Sequence, residues 1–179
     1  MSKKVLIIAS SPRKGGNSDL LCDEFTKGAV AAGHQVEKVS LADKEVLYCT
    51  GCDRCRNNGG TCIHEDDMSE ILQRMIAVDV IVLAAPIYCG SMYSKLKVFM
   101  ERTYPRYTEI TNKDVYLIIT GVADNIQRLD VPVAGLRRFI AGLPDSKERG
   151  IVYGINTYEA GSVKETPAMQ EAYEMGGRV

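Results

Sequence analysis

The chain has 179 residues, 45% hydrophobic and 25% charged, enough for one α/β domain with a sizeable core and too few for two ordinary domains. Twenty-two basic side chains meet 23 acidic ones for a net charge of −1, so no basic field exists to hold nucleic acid or an anionic membrane. No run approaches the roughly 18 apolar residues of a membrane span, and the apolar part of "MSKKVLIIAS" is too short for a secretory signal. The expected location is cytoplasmic.

In chain order, "KVLIIAS" (4–10) reads as a first strand, almost continuously apolar as in a parallel sheet covered on both faces. The loop "SSPRKGGNS" (10–18) leads into a helix marked by Leu21, Phe25, Ala29 and Ala32. "QVEKVSL" (35–41) alternates like an edge strand. Residues 42–66 carry no evident element, and irregular stretches beyond about 15 residues are often functional. Behind Asp66 or Asp67 as N-cap, Met68, Ile71, Leu72, Met75 and Ile76 form a helical stripe.

A buried strand follows at "DVIVLAAP" (79–86), then a helix with Leu96, Phe99, Met100 and Thr103 on one face. "DVYLIITG" (114–121) and "RGIVYGIN" (149–156) complete the strands. Val133, Leu136, Ile140 and Leu143 mark the helix between them, and Met169, Ala172, Tyr173 and Gly176 mark the last. Strand and helix alternate throughout, which predicts right-handed crossovers and one doubly wound parallel sheet over residues 1–179. Ligands of such sheets bind outside the carboxyl ends of the strands. Loops 10–18, 86–94 and 121–130 are the candidates, with 42–66 as added material on that rim.

Neither GxxxxGK[ST] nor GxGxxG occurs, so the first loop is not a standard nucleotide fingerprint. Gly15 and Gly16 permit close backbone approach, Ser11, Asn17 and Ser18 offer side-chain donors, and Arg13 offers a charge. With the N–H groups of the following helix, this set suits one terminal phosphate. A plain βα turn capped by Asn17 or Ser18 fits the same residues. In the second loop, Pro86, Tyr88, Gly90 and Ser91 follow a buried strand directly. Backbone N–H groups there suit a flat heterocycle with Tyr88 over one face, although a rim tyrosine packing on a partner subunit reads the same way.

Cys49, Cys52, Cys55 and Cys62 fall within fourteen positions, a clustering that points to metal or redox chemistry in a reducing compartment. A CxxCxxC run gives three thiolates, and a fourth from the same loop completes four-thiolate ligation of a [4Fe–4S] centre. Zinc sites usually pair two CxxC knuckles across a longer gap. The alternative is that these thiols only pack the loop. Cys22 and Cys89 read as ordinary small side chains, and His34 and His64 as surface or loop residues.

"SSPRKGGNS", "CTGCDRC" with its later Cys and "EDDM", "APIYCGSMYSKLKVFMER" and "VKETPAMQEAYEMG" together resemble the NADPH-dependent FMN reductase family, and within it the iron-sulfur flavoprotein-like branch. The resemblance implies a flavodoxin-like three-layer α-β-α sandwich with a five-stranded parallel sheet of order 2-1-3-4-5. It implies FMN with its phosphate on Ser11, Arg13, Asn17 and Ser18. The ring and ribityl chain would lie along Pro86, Ile87, Tyr88, Gly90, Ser91 and Met92, with Thr120 and Gly121 closing the third side.

The expected activity is FMN-mediated electron transfer from NAD(P)H, as substrate, to a flavin, a quinone or another small acceptor. The competing expectation is an electron-transfer carrier holding FMN and a [4Fe–4S] cluster on Cys49, Cys52, Cys55 and Cys62. Expected partners are a small-molecule acceptor or redox protein and a second copy in a homodimer or homotetramer, without nucleic acid or membrane.

Overall fold

Val5, Leu6, Ile7, Ile8 and Ala9 are each at most 3% exposed, because β1 (Lys4–Ala9) lies inside a sheet with helices on both faces. Successive strand side chains point to opposite faces. Val5, Ile7 and Ala9 accordingly join one apolar core, and Leu6 and Ile8 the other. The computed structural model describes all 179 residues.

The further strands are β2 (Gln35–Ser40), β3 (Val80–Tyr88), β4 (Ser91–Met92), β5 (Asp114–Thr120) and β6 (Lys147–Gly154). Their order is β2-β1-β3-β5-β6, with every ladder of that path parallel. Counting only these five, the order is the expected 2-1-3-4-5. The additional β4 turns back antiparallel on the end of β3, pairing Ile87 with Met92 and Tyr88 with Ser91. Its two-residue turn is Cys89 and Gly90, both at positive φ (50° and 74°), as the tightest hairpins require.

Helices α1 (Asn17–Ala31) and α5 (Ala168–Gly177) cover one face. Helices α2 (Met68–Ala77), α3 (Ser94–Arg102) and α4 (Asp130–Ile140) cover the other. Most of the expected stripes are buried: Leu21, Phe25, Met75, Leu96, Phe99 and Leu136 are fully inaccessible. Two positions depart from the periodicity. Ala32 follows the last turn of α1 and is exposed, and Tyr173 is 39% exposed on the outer side of α5.

The backbones of α1 and α5 come unusually close. A Cβ on Gly176 would lie 2.1 Å from the Phe25 carbonyl oxygen, and one on Gly28 would lie 1.9 Å from that of Tyr173. Only glycine permits this contact.

The run at 149–156 reads as a strand covered on both faces, yet along β6 only Val152 and Gly154 are buried. β6 is the outer strand of the sheet, and a bulge disturbs its register with β5 near Val115 and Tyr116. Asp67 is the N-cap residue of α2, but its side chain does not cap the helix; the Met68 N–H donates to Asp66 Oδ1 at 3.1 Å instead. Asp67 accepts from the Glu45 N–H and the Lys44 ammonium, both at 2.8 Å, while Asp66 turns inward to Arg102. No helix is long and apolar enough to cross a membrane.

Candidate functional site

The first loop is anchored before it turns. Ser10 Oγ donates to the Ala84 carbonyl at 2.8 Å, tying the end of β1 to β3. Ser11 Oγ then accepts from the Arg13 N–H at 3.1 Å, and the Gly16 N–H donates to the Arg13 carbonyl at 3.0 Å. Gly15 sits at φ +67°, and a Cβ on Gly16 would meet the Arg13 oxygen at 2.9 Å and Ser11 Oγ at 3.1 Å. The turn therefore demands two glycines, and the second becomes the N-cap of α1. No side chain caps this helix. Asp19, in the first turn, binds the Gly15 N–H at 2.9 Å instead. The opening amides of α1 have no acceptor within their own helix, which leaves them for an anion.

Ser18 is 2% exposed, and its hydroxyl has no hydrogen-bond partner in the chain. Asn17 is placed differently. Its Nδ2 donates to the Glu159 carbonyl at 2.9 Å, and its Oδ1 accepts from the N–H groups of Gly161 (2.9 Å) and Val163 (3.2 Å). The Asn17 side chain is thus a strut for the segment that follows β6. Arg13 leans over the same segment, with Nη1 3.4 Å from the Tyr158 carbonyl.

These loops enclose a cleft of about 400 Å³ at the carboxyl end of the sheet. Of the predicted residues, Ser11, Arg13, Asn17, Ser18, Pro86, Ile87, Tyr88, Thr120 and Gly121 line it together. The structure places Gly90 and Ser91 outside the wall, exposed at the hairpin, and Met92 is 9% exposed and packs into the core toward α4. Tyr88 is 38% exposed at the mouth and meets Tyr93 edge to face, with ring centroids 5.5 Å apart.

The wall that sequence reasoning missed is Thr157, Tyr158 and Ala160, which follow β6. The Thr157 N–H donates to the Gly121 carbonyl at 3.1 Å and joins this segment to the loop after β5. The signal was present, since the last parallel strand also has a carboxyl end and "NTYEAGS" there is rich in hydroxyls and small residues. Cys89 also borders the cleft rather than packing as an ordinary small side chain.

The cysteine loop forms a second feature, which shares no lining residue with the cleft. Cys49, Cys52, Cys55 and Cys62 are all free thiols and all border one cavity of about 210 Å³. Nowhere in the chain do three or more His, Cys, Asp or Glu side chains converge on a point to hold a single metal ion. The Arg54 N–H and the Thr50 hydroxyl hold the Cys52 thiol below its ordinary pKa, whereas burial and the neighbouring Cys62 raise that of Cys55.

His64 is only partly a loop residue of the expected kind. Its Nε2 is buried without a partner, and it borders the cysteine cavity beside Arg102, whose Nε is also buried and unpartnered. Both Nη atoms of Arg102 are held: Nη1 reaches the Leu47 carbonyl and Asp66 Oδ2, each at 2.6 Å, and Nη2 reaches Asp66 Oδ1 at 3.0 Å.

The sequence profile of the NADPH-dependent FMN reductase family matches residues 3–133. The chain belongs to that family. This FMN reductase family member is 41% identical over 102 residues to an iron-sulfur flavoprotein of Methanocaldococcus jannaschii, an alignment covering 57% of the chain and 52% of that protein. The chain thus spans about half the length of the iron-sulfur flavoproteins it matches.

Among solved structures, an NAD(P)H:quinone oxidoreductase from Methanothermobacter marburgensis superposes with a TM-score of 0.79 at 16% identity, covering 99% of the chain and 97% of that structure. An FMN-dependent NADH-azoreductase from Bacillus anthracis, solved with FMN, gives 0.67 at 21% identity, with 99% of each chain covered. These likenesses establish the flavodoxin-like α/β fold of this family member.

Proposed function

We propose that this FMN reductase family member is a flavin-dependent oxidoreductase. It holds FMN in the strand-end cleft and carries electrons from NAD(P)H to a flavin, a quinone or another small acceptor. One observation carries the reading: an uncapped helix N-terminus behind a two-glycine turn, at the head of a 400 Å³ cleft in a protein of this family. That volume is within the usual range for a small-molecule site. When bound, FMN supplies the hydride-accepting and electron-donating chemistry, and the protein supplies placement and hydrogen bonds.

In this reading the amides at the start of α1, with Ser11, Arg13 and Ser18, receive the phosphate. Asn17 lines the same end and keeps the Tyr158–Val163 segment in place. Pro86, Ile87 and Tyr88 border the ring, and Thr120 and Gly121 close the side opposite the first loop. Gly90, Ser91 and Met92 shape and anchor the hairpin that carries Tyr88. Exposed Val122, Ile126, Val131 and Tyr158, on or beside the cleft loops, favour a homodimer or homotetramer. Six free thiols suit the reducing cytoplasm.

The experiment is an absorbance spectrum of the purified protein followed by rapid mixing with NADPH and NADH. Flavin bands that bleach quickly with either nucleotide support the reductase. A protein that never acquires FMN overturns it.

A second reading is favoured by the cysteine cavity: the protein also holds a [4Fe–4S] cluster on Cys49, Cys52, Cys55 and Cys62 and passes single electrons to a redox protein. A lone zinc needs its thiolates within about 2.3 Å of one point. Four thiols ringing a cavity suit instead a centre with volume of its own. Acid-labile sulfide and iron on anaerobically purified protein support this reading. Their absence from protein that holds FMN removes it and leaves the reductase.

A further inference from the structure

Arg102 and His64 present the same anomaly at one place. Each has a ring or guanidinium nitrogen that is buried without any partner in the chain, and each borders the cavity of the four cysteines. Buried donors without acceptors are destabilising and rare in folded proteins. Arg102 is 2% exposed, and its position leaves little freedom, because two hydrogen bonds to Asp66 and one to Leu47 fix both Nη atoms. Nε remains on the free edge of a clamped plane. Cys62 lines the same cavity as Arg102, and no atom of the chain completes a hydrogen bond to Nε.

We propose that Arg102 Nε–H and His64, in its Nε2–H form, are hydrogen-bond donors to the sulfur atoms of the cluster and raise its reduction potential. The inference rests on the cluster reading above. Thiolate and sulfide sulfurs become more electron-rich on reduction, so a fixed N–H donor stabilises the reduced state more than the oxidised one. The Arg102–Asp66 pair supplies the fixing. It holds a positive charge at the wall of the cysteine cavity while leaving the Nε–H uncommitted, a different task from simply closing the loop.

The test uses the full chain, reconstituted anaerobically with iron and sulfide, as wild type, Arg102→Lys and His64→Phe. Lysine keeps a charge for Asp66 but lacks the Nε–H, and phenylalanine keeps a ring without a donor. Iron, sulfide and FMN are counted per chain, and the cluster midpoint is read by a redox titration followed by electron paramagnetic resonance. The expected result is wild-type cofactor content with a more negative midpoint in each variant, together with shifted Fe–S stretching bands in resonance Raman spectra.

Unchanged midpoints and bands in both variants overturn the proposal. If Arg102→Lys fails to retain the cluster, His64→Phe decides: a lowered midpoint supports the donor role and an unchanged one overturns it. A wild type that takes up no iron or sulfide overturns the cluster reading and the donor role with it, while FMN in that sample leaves the flavoprotein standing.

Discussion

Arg102 and Asp66 form a two-point ion pair, 2.6 and 3.0 Å long, with 2% and 0% of their side chains exposed. The pair closes the neck of the cysteine loop. Asp66 Oδ2 also accepts from the Leu47 N–H at 2.9 Å, and Arg102 donates to the Leu47 carbonyl at 2.6 Å, so one guanidinium gathers both ends of the segment 47–66.

Removing one partner of a buried pair leaves the other charge without compensation, which typically costs about 3–5 kcal/mol. Asp66→Asn is therefore expected to lower the stability measured by urea denaturation by about that amount, with the largest loss of amide-exchange protection in residues 47–66. Burial acts to raise the Asp66 pKa, but Arg102 and the N–H groups of Leu47 and Met68 outweigh it and hold the carboxyl below its usual range. The sign follows: the stabilisation is complete above the ordinary value of about 3.9 and is lost as pH falls through the depressed one. Wild type should lose this increment in acid, and Asp66→Asn should not.

If the strand-end cleft holds FMN as proposed, Ser18 and Asn17 separate a cofactor contact from a structural one. Ser18→Ala removes an unpartnered hydroxyl and should weaken FMN binding roughly 10- to 150-fold, the effect of one hydrogen bond to a charged group (about 1.5–3 kcal/mol), with little change in the stability of the apoprotein. Asn17→Ala breaks the strut to Glu159, Gly161 and Val163. It should also raise amide exchange in the segment after β6 before any FMN is added. Equilibrium dialysis and hydrogen exchange together distinguish the two patterns, and an unaltered FMN affinity in Ser18→Ala would return that hydroxyl to a structural role.

Gly176→Ala tests the α1–α5 contact. Alanine is favoured over glycine by about 1 kcal/mol within a helix, but here the new methyl would lie 2.1 Å from the Phe25 carbonyl oxygen. A backbone atom cannot rotate away, so the helices must separate and open the packing around Phe25 and Ala172. The net effect is destabilising, about 1–3 kcal/mol on the scale of overpacked cores, read as a lowered denaturation midpoint.

The thiols should divide by burial. Cys22 is fully buried in α1, and burial pushes its thiol well above the ordinary range. In the native apoprotein at neutral pH, iodoacetamide should modify exposed Cys49, Cys52 and Cys89 and spare Cys22 until the chain unfolds, as mapped by peptide mass spectrometry.

The two cleft loops were legible because turn chemistry is local. Gly15 and Gly16 announce a backbone turn next to a strand end whatever surrounds them, and the Cys-Gly turn after Tyr88 lies in the second flagged loop. The role of Asn17 was not legible, since its partners Glu159, Gly161 and Val163 lie 142 to 146 positions later and nothing nearby indicates which way its amide turns. The segment after β6 escaped for the related reason that its contribution depends on how far the last strand runs beside β5.

What the sequence determined by itself is the set of elements. Parallel strands covered on both faces must be continuously apolar, and covering helices must repeat their apolar residues every three or four positions, so both are written in local composition. What only the tertiary structure decided is which of those surfaces stay wet and which distant polar atoms meet. β6 reads as a buried strand but is half exposed because it is the sheet's outer strand. Arg102, at the end of an ordinary helical stripe, becomes the clasp of a loop 36 positions earlier, and it borders the cavity of the cysteines there. Pairings of that kind depend on packing between elements, and no periodicity in the chain encodes them.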